Sequence, residues 1–145
     1  MTENIIIQEM TIQDYDEVRV LWQETDGIEF SDIDSKADIS RFLERNPGLS
    51  FVAREDDLLI GTVLCGHDGR RGYIDQLAVR ESHRRLGIGR ALVSRCLFNL
   101  LRTGIRKWNL FVGEDNLDAI TFWKKLGWAE RVERISMTKF KDDVD

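Results

Sequence analysis

The chain has 145 residues, 42% hydrophobic and 32% charged, with a formal net charge of −5. That is enough for one substantial core and too little for two, in the composition range of soluble globular proteins. No apolar run approaches the ~20 residues of a membrane span, and no basic segment leads into an apolar stretch of signal-peptide length. The acidic balance speaks against a broad nucleic-acid surface.

One domain over residues 1–145 is therefore expected, cytoplasmic, with a small or cationic partner and neither nucleic acid nor membrane. The sequence does not fix oligomeric state, and a homodimer is left open. Cys65 and Cys96 each lie inside an apolar run without metal-ligand spacing and read as buried free thiols. His67 and His83 are the only imidazoles and stand far apart, so neither a metal site nor a Cys/His catalytic pair is proposed.

In chain order, Asn4 to Gln8 is β-branched and reads as a terminal strand. Thr11, with Asp14 three residues on, has the spacing of a helix N-cap. The helix that follows carries Tyr15, Val18, Leu21 and Trp22 at core spacing. A polar connection from Asp26 to Asp34 leads to a second helix bearing Ile39, Phe42 and Leu43, which Asn46-Pro47-Gly48 must end. Leu49 to Arg54 and Leu58 to Cys65, around Glu55-Asp56-Asp57, read as an antiparallel hairpin.

After a loop from Gly66 to Gly72, a fourth strand spans Tyr73 to Val79. A third helix, Arg90 to Arg102, is expected to bury Val93, Cys96, Leu97, Leu100 and Leu101, with Gly104 as its C-cap. A strand over Lys107 to Val112, a fourth helix over Leu117 to Leu126 and one or two closing strands within Trp128 to Phe140 complete the order. This order predicts an α+β, mixed α/β architecture: a sheet covered by helices on both faces.

The segment between the fourth strand and third helix, Arg84-Arg85-Leu86-Gly87-Ile88-Gly89, has the chemistry of an anion site. Two glycines spaced by one residue let bare backbone approach a ligand, and the first N–H groups of the helix have no intrahelical partner. The positive end of the helix dipole and the side chains of Arg84, Arg85 and Arg90 add to the field, and a pyrophosphate would fit. Glycine-rich strand-to-helix turns and solvated basic faces are also common, so the loop alone leaves both readings open. A Walker loop is absent, and the third glycine of a dinucleotide fingerprint is replaced by Leu92.

The spacing Arg-x-x-Gly-x-Gly after Leu77-Ala78-Val79 resembles motif A of the GNAT superfamily of N-acetyltransferases. Asn116-Leu117-Asp118-Ala119-Ile120-Thr121-Phe122-Trp123-Lys124-Lys125-Leu126-Gly127-Trp128 resembles motif B of the same family, and Ile60-Gly61-Thr62-Val63 its third strand. The likeness covers roughly Phe51 to Trp128, and the run Gly61 to Gly72 is most similar to small bacterial YpeA-like acetyltransferases. It implies the GNAT-like acyl-CoA N-acyltransferase fold, with a central, mostly antiparallel sheet whose fourth and fifth strands splay apart. It also implies acetyl-CoA as co-substrate and no metal.

By motif position, the pyrophosphate falls to Arg84, Arg85, Leu86, Gly87, Ile88, Gly89 and Arg90. Pantetheine and the developing oxyanion fall to the backbone of Leu77, Ala78 and Val79, and the thiol end of the cofactor to Asn116 and Trp123. The family reaction is direct attack of a primary amine on the thioester in a ternary complex. An alkyl ammonium with a pKa near ~10.4 needs a base or a desolvating cleft to supply free amine. Alternation places Asp75, the fourth strand's only carboxylate, beside Tyr73, Leu77 and Val79, as the candidate base or as a surface aspartate.

Asp26, Glu29, Asp32 and Asp34, in the connection that borders the acceptor cleft in this family, either attract a cationic acceptor, with Asp26 and Glu29 as substrate contacts, or form a solvated loop. The family's usual tyrosine acid corresponds to Trp123, whose indole cannot donate a proton to a thiolate. Two functions thus stand: an acetyl-CoA-dependent N-acetyltransferase acting on a small-molecule or protein amine, or a non-catalytic acyl-CoA-binding regulatory module.

Overall fold

A computed structural model describes residues 4–144. They divide into two compact units at Gly113/Glu114. The first holds β1 (Ile5–Glu9), α1 (Tyr15–Glu24), α2 (Lys36–Arg45), β2 (Phe51–Glu55), β3 (Leu58–His67), β4 (Gly72–Val79), α3 (Ile88–Arg102) and β5 (Trp108–Asn109). The second holds α4 (Leu117–Lys125) and a 3-10 turn at Lys141–Asp143.

The sheet runs β1-β2-β3-β4-β5. Its first three pairings are antiparallel and the β4–β5 pairing is parallel. The β2–β3 hairpin closes through Asp56-Asp57, with Asp56 at φ +52°, the left-handed backbone that short hairpin turns require. This is the α+β, mixed α/β architecture that the element order predicts, with the mostly antiparallel sheet that the family resemblance implies.

Helices cover both faces because neighbouring β3 residues point opposite ways. Gly61 faces α3: a Cβ built there would stand 3.2 Å from both Ile88 Cγ2 and Leu92 Cδ1. Glycine thus lets the start of α3 settle directly on the sheet. Thr62 faces α1, accepting a 3.0 Å hydrogen bond from the Trp22 indole. On that face Met10, Tyr15, Val18, Leu21, Trp22 and Ile39 form one apolar cluster with Val52, Leu59, Leu64 and Ala78.

The α1 entry follows the predicted signal in a tighter form. Thr11 opens a 3-10 turn over Ile12–Asp14 that runs into α1, and the Asp14 carboxylate takes the Thr11 N–H at 2.9 Å. The other Asp14 oxygen pairs with Arg54 at 2.9 Å, and Arg54 also meets Glu17 at 2.9 Å. These carboxylates hold the guanidinium proton more tightly than usual. One arginine on β2 therefore fixes the first turns of α1 to the hairpin.

Three expectations need correction. Leu101 is 53% exposed, because the buried stripe of α3 runs through Ile88, Leu92, Val93, Cys96 and Leu100, leaving Leu101 on the flank. The fifth strand shrinks from Lys107–Val112 to two residues, Trp108–Asn109. The closing strands expected within Trp128–Phe140 are absent from the described residues. The apolar residues of that stretch, Val132, Ile135, Met137 and Phe140, are all exposed, so they supply no buried strand face.

Candidate active site

The central feature is the open edge of β4. Arg80 donates its N–H to the Ile60 carbonyl of β3 at 2.7 Å. Strand alternation therefore turns the N–H and C=O of Val79 to the opposite edge. There β5 pairs with Gly72 and Tyr73 only, so among the described residues no strand pairs with this edge of β4 from Ile74 onward. An unpaired strand edge is a ready partner for an extended amide-bearing chain.

The edge is reshaped by a bulge. Thr62 pairs with Ala78 and Leu64 with Asp75, so two steps on β3 are matched by three on β4. The extra residue lies at Gln76–Leu77, and Gln76 takes φ +51°. A non-glycine residue in this conformation costs about 1 kcal/mol or more and must be held by its surroundings. It is. The Gln76 carbonyl accepts the Thr62 hydroxyl at 3.0 Å, and its side-chain amide donates to the Glu29 carbonyl at 3.1 Å. Its N–H goes to the carboxylate of Asp75 at 3.0 Å.

The bulge corrects the expected grouping of Tyr73, Asp75, Leu77 and Val79 on one face, because one extra residue reverses strand alternation. Tyr73 and Asp75 pair with Gly66 and Leu64 on the α1 side of the sheet, as does Ala78 with Thr62, whereas Val79 pairs with Gly61 on the α3 side. Although Asp75 is solvent-exposed, the protein packed around it strips hydration from the carboxylate and raises its pKa above the ordinary value. The Gln76 N–H opposes that shift, and the charges of Asp34 and Glu29 add to it.

The structure thus brings Glu29, Asp34 and Asp75 into one electrostatic neighbourhood. Asp34 itself is buried and its pKa is raised, chiefly by lost hydration. It takes the Ser31 N–H at 2.9 Å, so it braces the connection. Asp26 and Asp32 are exposed on the same connection.

Beyond β4 the chain makes a 3-10 turn at Glu81–His83 and enters the glycine loop. His83 Nε2 lies 2.9 Å from Glu55 Oε1, tying this turn to the hairpin. Arg85 at φ +65° and Gly87 at φ +81° bend the loop so that Gly87 becomes the N-cap of α3. The first intrahelical bond is Ala91 N–H to the Gly87 carbonyl at 3.0 Å, and no side chain caps the helix start. The N–H groups of Ile88, Gly89 and Arg90 are those that helix geometry leaves over. A fifteen-residue helix directs its dipole at the same point.

Individual roles differ from the sequence reading. Ile88 is 1% exposed, so its side chain belongs to the core and only its backbone can meet a ligand. Arg84 donates Nε to the Val79 carbonyl at 3.2 Å, bracing the end of β4. Arg85, Leu86 and Arg90 are exposed at the loop. Leu77 and Val79 are half-buried, and the Ala78 side chain is buried in the core.

In the second unit, the Asn116 side chain caps α4, accepting the Ala119 N–H at 3.2 Å. Trp123 packs edge-on against Phe122 and Trp128, with ring centroids 5.1 and 5.3 Å apart. Tyr15 is buried, its hydroxyl donates to the Asp34 carbonyl at 2.6 Å, and lost hydration raises its pKa.

Cys65 and Cys96 are free and buried. The Cys65 thiol and burial together hold the Cys96 thiol protonated, so it offers no nucleophile. Among the described residues no cluster of three or more His, Cys, Asp or Glu is arranged to hold a metal.

Sequence reasoning missed Gln76, Thr62 and Trp22. A usable signal existed for the first: Ile74, Gln76 and Ala78 share the buried parity of β4, and a glutamine there needs an explanation. The bulge itself carries no glycine or asparagine to announce it.

The sequence profile of the acetyltransferase (GNAT) family matches residues 13–128. The chain belongs to the GNAT acetyltransferase family. It is 36% identical over 115 residues to an acetyltransferase of Yersinia pestis, covering 79% of this chain and 81% of that one. Among solved structures this acetyltransferase is similar to Ard1 from Thermoplasma volcanium, with a TM-score of 0.77 and 24% identity over 87% of this chain and 83% of that one. It is also similar to PaiA N-acetyltransferase from Thermoplasma acidophilum, in complex with coenzyme A, with a TM-score of 0.74 and 21% identity over 88% and 89% of the two chains. These structural likenesses establish the GNAT fold. As a member of this family the chain is an N-acetyltransferase using acetyl-CoA, and the non-catalytic reading gives way.

Proposed function

We propose that the acetyltransferase moves the acetyl group of acetyl-CoA to a primary amine by direct attack in a ternary complex. The observation that carries this reading is the conjunction of an unpaired β4 edge with an uncapped α3 N-terminus a few residues further on. The pyrophosphate takes the N–H groups of Leu86 to Arg90, with Arg85 and Arg90 adding positive charge. Pantetheine lies along the open edge, and the thioester carbonyl reaches the backbone at Leu77 to Val79, where N–H donors stabilise the oxyanion.

Asp75 accepts the proton of the attacking amine, directly or through water. Its raised pKa brings it closer to neutral working pH, as suits a general base. The negative charges of Glu29, Asp34 and Asp75 favour a cationic acceptor, a small molecule or a protein amino group. With Trp123 at the family's tyrosine position, CoA leaves as thiolate or is protonated by water. A thiol with a pKa of about 8.5 makes that a slower step, not a forbidden one.

We read both units as parts of one acetyltransferase domain, since the family match at 13–128 crosses the Gly113/Glu114 boundary. The described residues contain no helix long and apolar enough to cross a membrane. The free thiols of Cys65 and Cys96 suit a reducing cytoplasm.

The test is release of free CoA from acetyl-CoA with a panel of cationic, neutral and anionic acceptors, beside a CoA binding titration. Turnover with cationic amines is expected. Binding without turnover for any amine overturns the catalytic scheme.

A further inference from the structure

The bulge of β4 is held by a line of hydrogen bonds that begins buried on α1 and ends part-buried on the connection between α1 and α2. The Trp22 indole N–H donates to Thr62 Oγ1 at 3.0 Å, and the Thr62 hydroxyl donates to the Gln76 carbonyl at 3.0 Å. The Gln76 side-chain amide donates to the Glu29 carbonyl at 3.1 Å. Trp22 and Thr62 are fully buried and Gln76 is 7% exposed.

The direction of the line is fixed by chemistry. Indole N–H can only donate, so it must occupy an acceptor site on the threonine oxygen. The hydroxyl proton is then free for the carbonyl of the strained residue. One threonine thus satisfies a buried indole and pins a left-handed glutamine, and that glutamine's side chain fixes the backbone of the acidic connection. Both tasks need a hydroxyl, which valine, of the same shape, lacks.

We infer that Thr62 and Gln76 are positioning residues that couple the β4 bulge to the acceptor-side connection at Glu29, with Trp22 setting the hydroxyl of Thr62. The inference rests on the proposed reading in which the bulge lies against the thioester and the connection borders the acceptor. Fixing both by one residue keeps the oxyanion donors and the acceptor side in register. Small displacements between reacting groups are costly in rate, so such a link acts on kcat more than on cofactor binding.

The test uses the full chain and four readouts: folding by near-ultraviolet circular dichroism, kcat, the two KM values, and amide hydrogen exchange. Thr62→Val keeps the shape of the side chain and removes the hydroxyl. It is expected to fold and to bind acetyl-CoA with KM changed less than about twofold, while kcat falls by roughly tenfold to a hundredfold. Thr62→Ser, which restores the hydroxyl, should recover most of kcat. Exchange should quicken together at residues 75–79 and 28–30 and stay unchanged in β1 and β2.

Gln76→Leu removes the link to Glu29 but leaves the Gln76 backbone in place, and should raise acceptor KM with acetyl-CoA KM unaltered. This variant decides the matter if Thr62→Val does not fold. A folded Thr62→Val with parental kcat, or exchange that rises uniformly across the sheet, overturns the inference. So does a Gln76→Leu that leaves acceptor KM unchanged. If the parent binds CoA but acetylates no amine, the proposed function fails instead, and the exchange pattern alone judges the coupling.

Discussion

At the scale of single residues, the glycine loop and Asp75 make the sharpest claims. Gly87 holds φ +81° with open space where a Cβ would be, so Gly87→Ala should cost stability through backbone strain alone, about 1 kcal/mol. Gly89 stands at the second position of α3 among the free N–H groups. Gly89→Val should leave the fold intact and weaken CoA binding about tenfold or more by keeping phosphate from the backbone, a loss of ~1.4 kcal/mol. A binding titration on the folded variant checks this, and parental affinity removes the loop from the cofactor site.

Asp75 links stability to pH with a definite sign. Its carboxyl is raised above the ordinary 3.8, so the folded chain keeps that proton to higher pH than the unfolded chain. The stabilisation this gives is complete below the ordinary value and is lost as pH rises through the raised one. Asp75→Asn keeps an oxygen for the Gln76 N–H and removes the charge. It should raise the melting temperature at neutral pH and change little near pH 3, while kcat falls most at the lower end of the activity range. Melts at both pH values and a kcat profile test the pair; full activity throughout removes Asp75 as the base.

At the scale of elements, the sequence announced most helices and strands through apolar spacing, but less of what makes β4 functional. The strand, the loop and α3 are legible because alternation, paired glycines and helical spacing are local. The bulge is not, because Gln76 is forced into left-handed backbone by Thr62 and Glu29, partners that are remote in sequence. The overextended fifth strand has the same origin. Lys107 to Val112 carries strand-forming residues, yet only Trp108 and Asn109 find a partner in β4.

Arg54 shows how a charged residue can hold an element. It joins Asp14 and Glu17 of the α1 entry to β2 and donates to the Asp57 carbonyl at 3.0 Å. Arg54→Ala leaves the buried Asp14 carboxylate without its counter-charge, keeping only the Thr11 N–H, and should cost about 2–3 kcal/mol in chemical denaturation. A loss below about 0.5 kcal/mol would mean the pair behaves like a surface salt bridge. On α4, Trp123→Phe should leave the shape of the kcat–pH profile unchanged, since indole has no proton to give; a lost limb would contradict this.

At the scale of the whole molecule, the proposed reading segregates charge by function. The chain is acidic overall, yet the loop proposed for the cofactor carries Arg84, Arg85 and Arg90, while the side proposed for the acceptor carries Asp26, Glu29, Asp32, Asp34 and Asp75. Exposed charges attract through a screening length of about 8 Å at physiological ionic strength. Acceptor KM should therefore rise with added salt for cationic acceptors, and neutralising Asp26, Glu29 and Asp32 together should raise it at low salt. A preference for neutral or anionic acceptors would contradict the electrostatic account.

The central claim is that one continuous surface, the α3 N-terminus and the open edge of β4, holds acetyl-CoA. Amide chemical shifts of the labelled protein titrated with CoA and then acetyl-CoA test it most directly. The account predicts large shifts for Leu86 to Arg90 with both ligands, and further shifts at Leu77 to Val79 that depend on the acetyl group. Saturable binding that leaves both segments unmoved would contradict it.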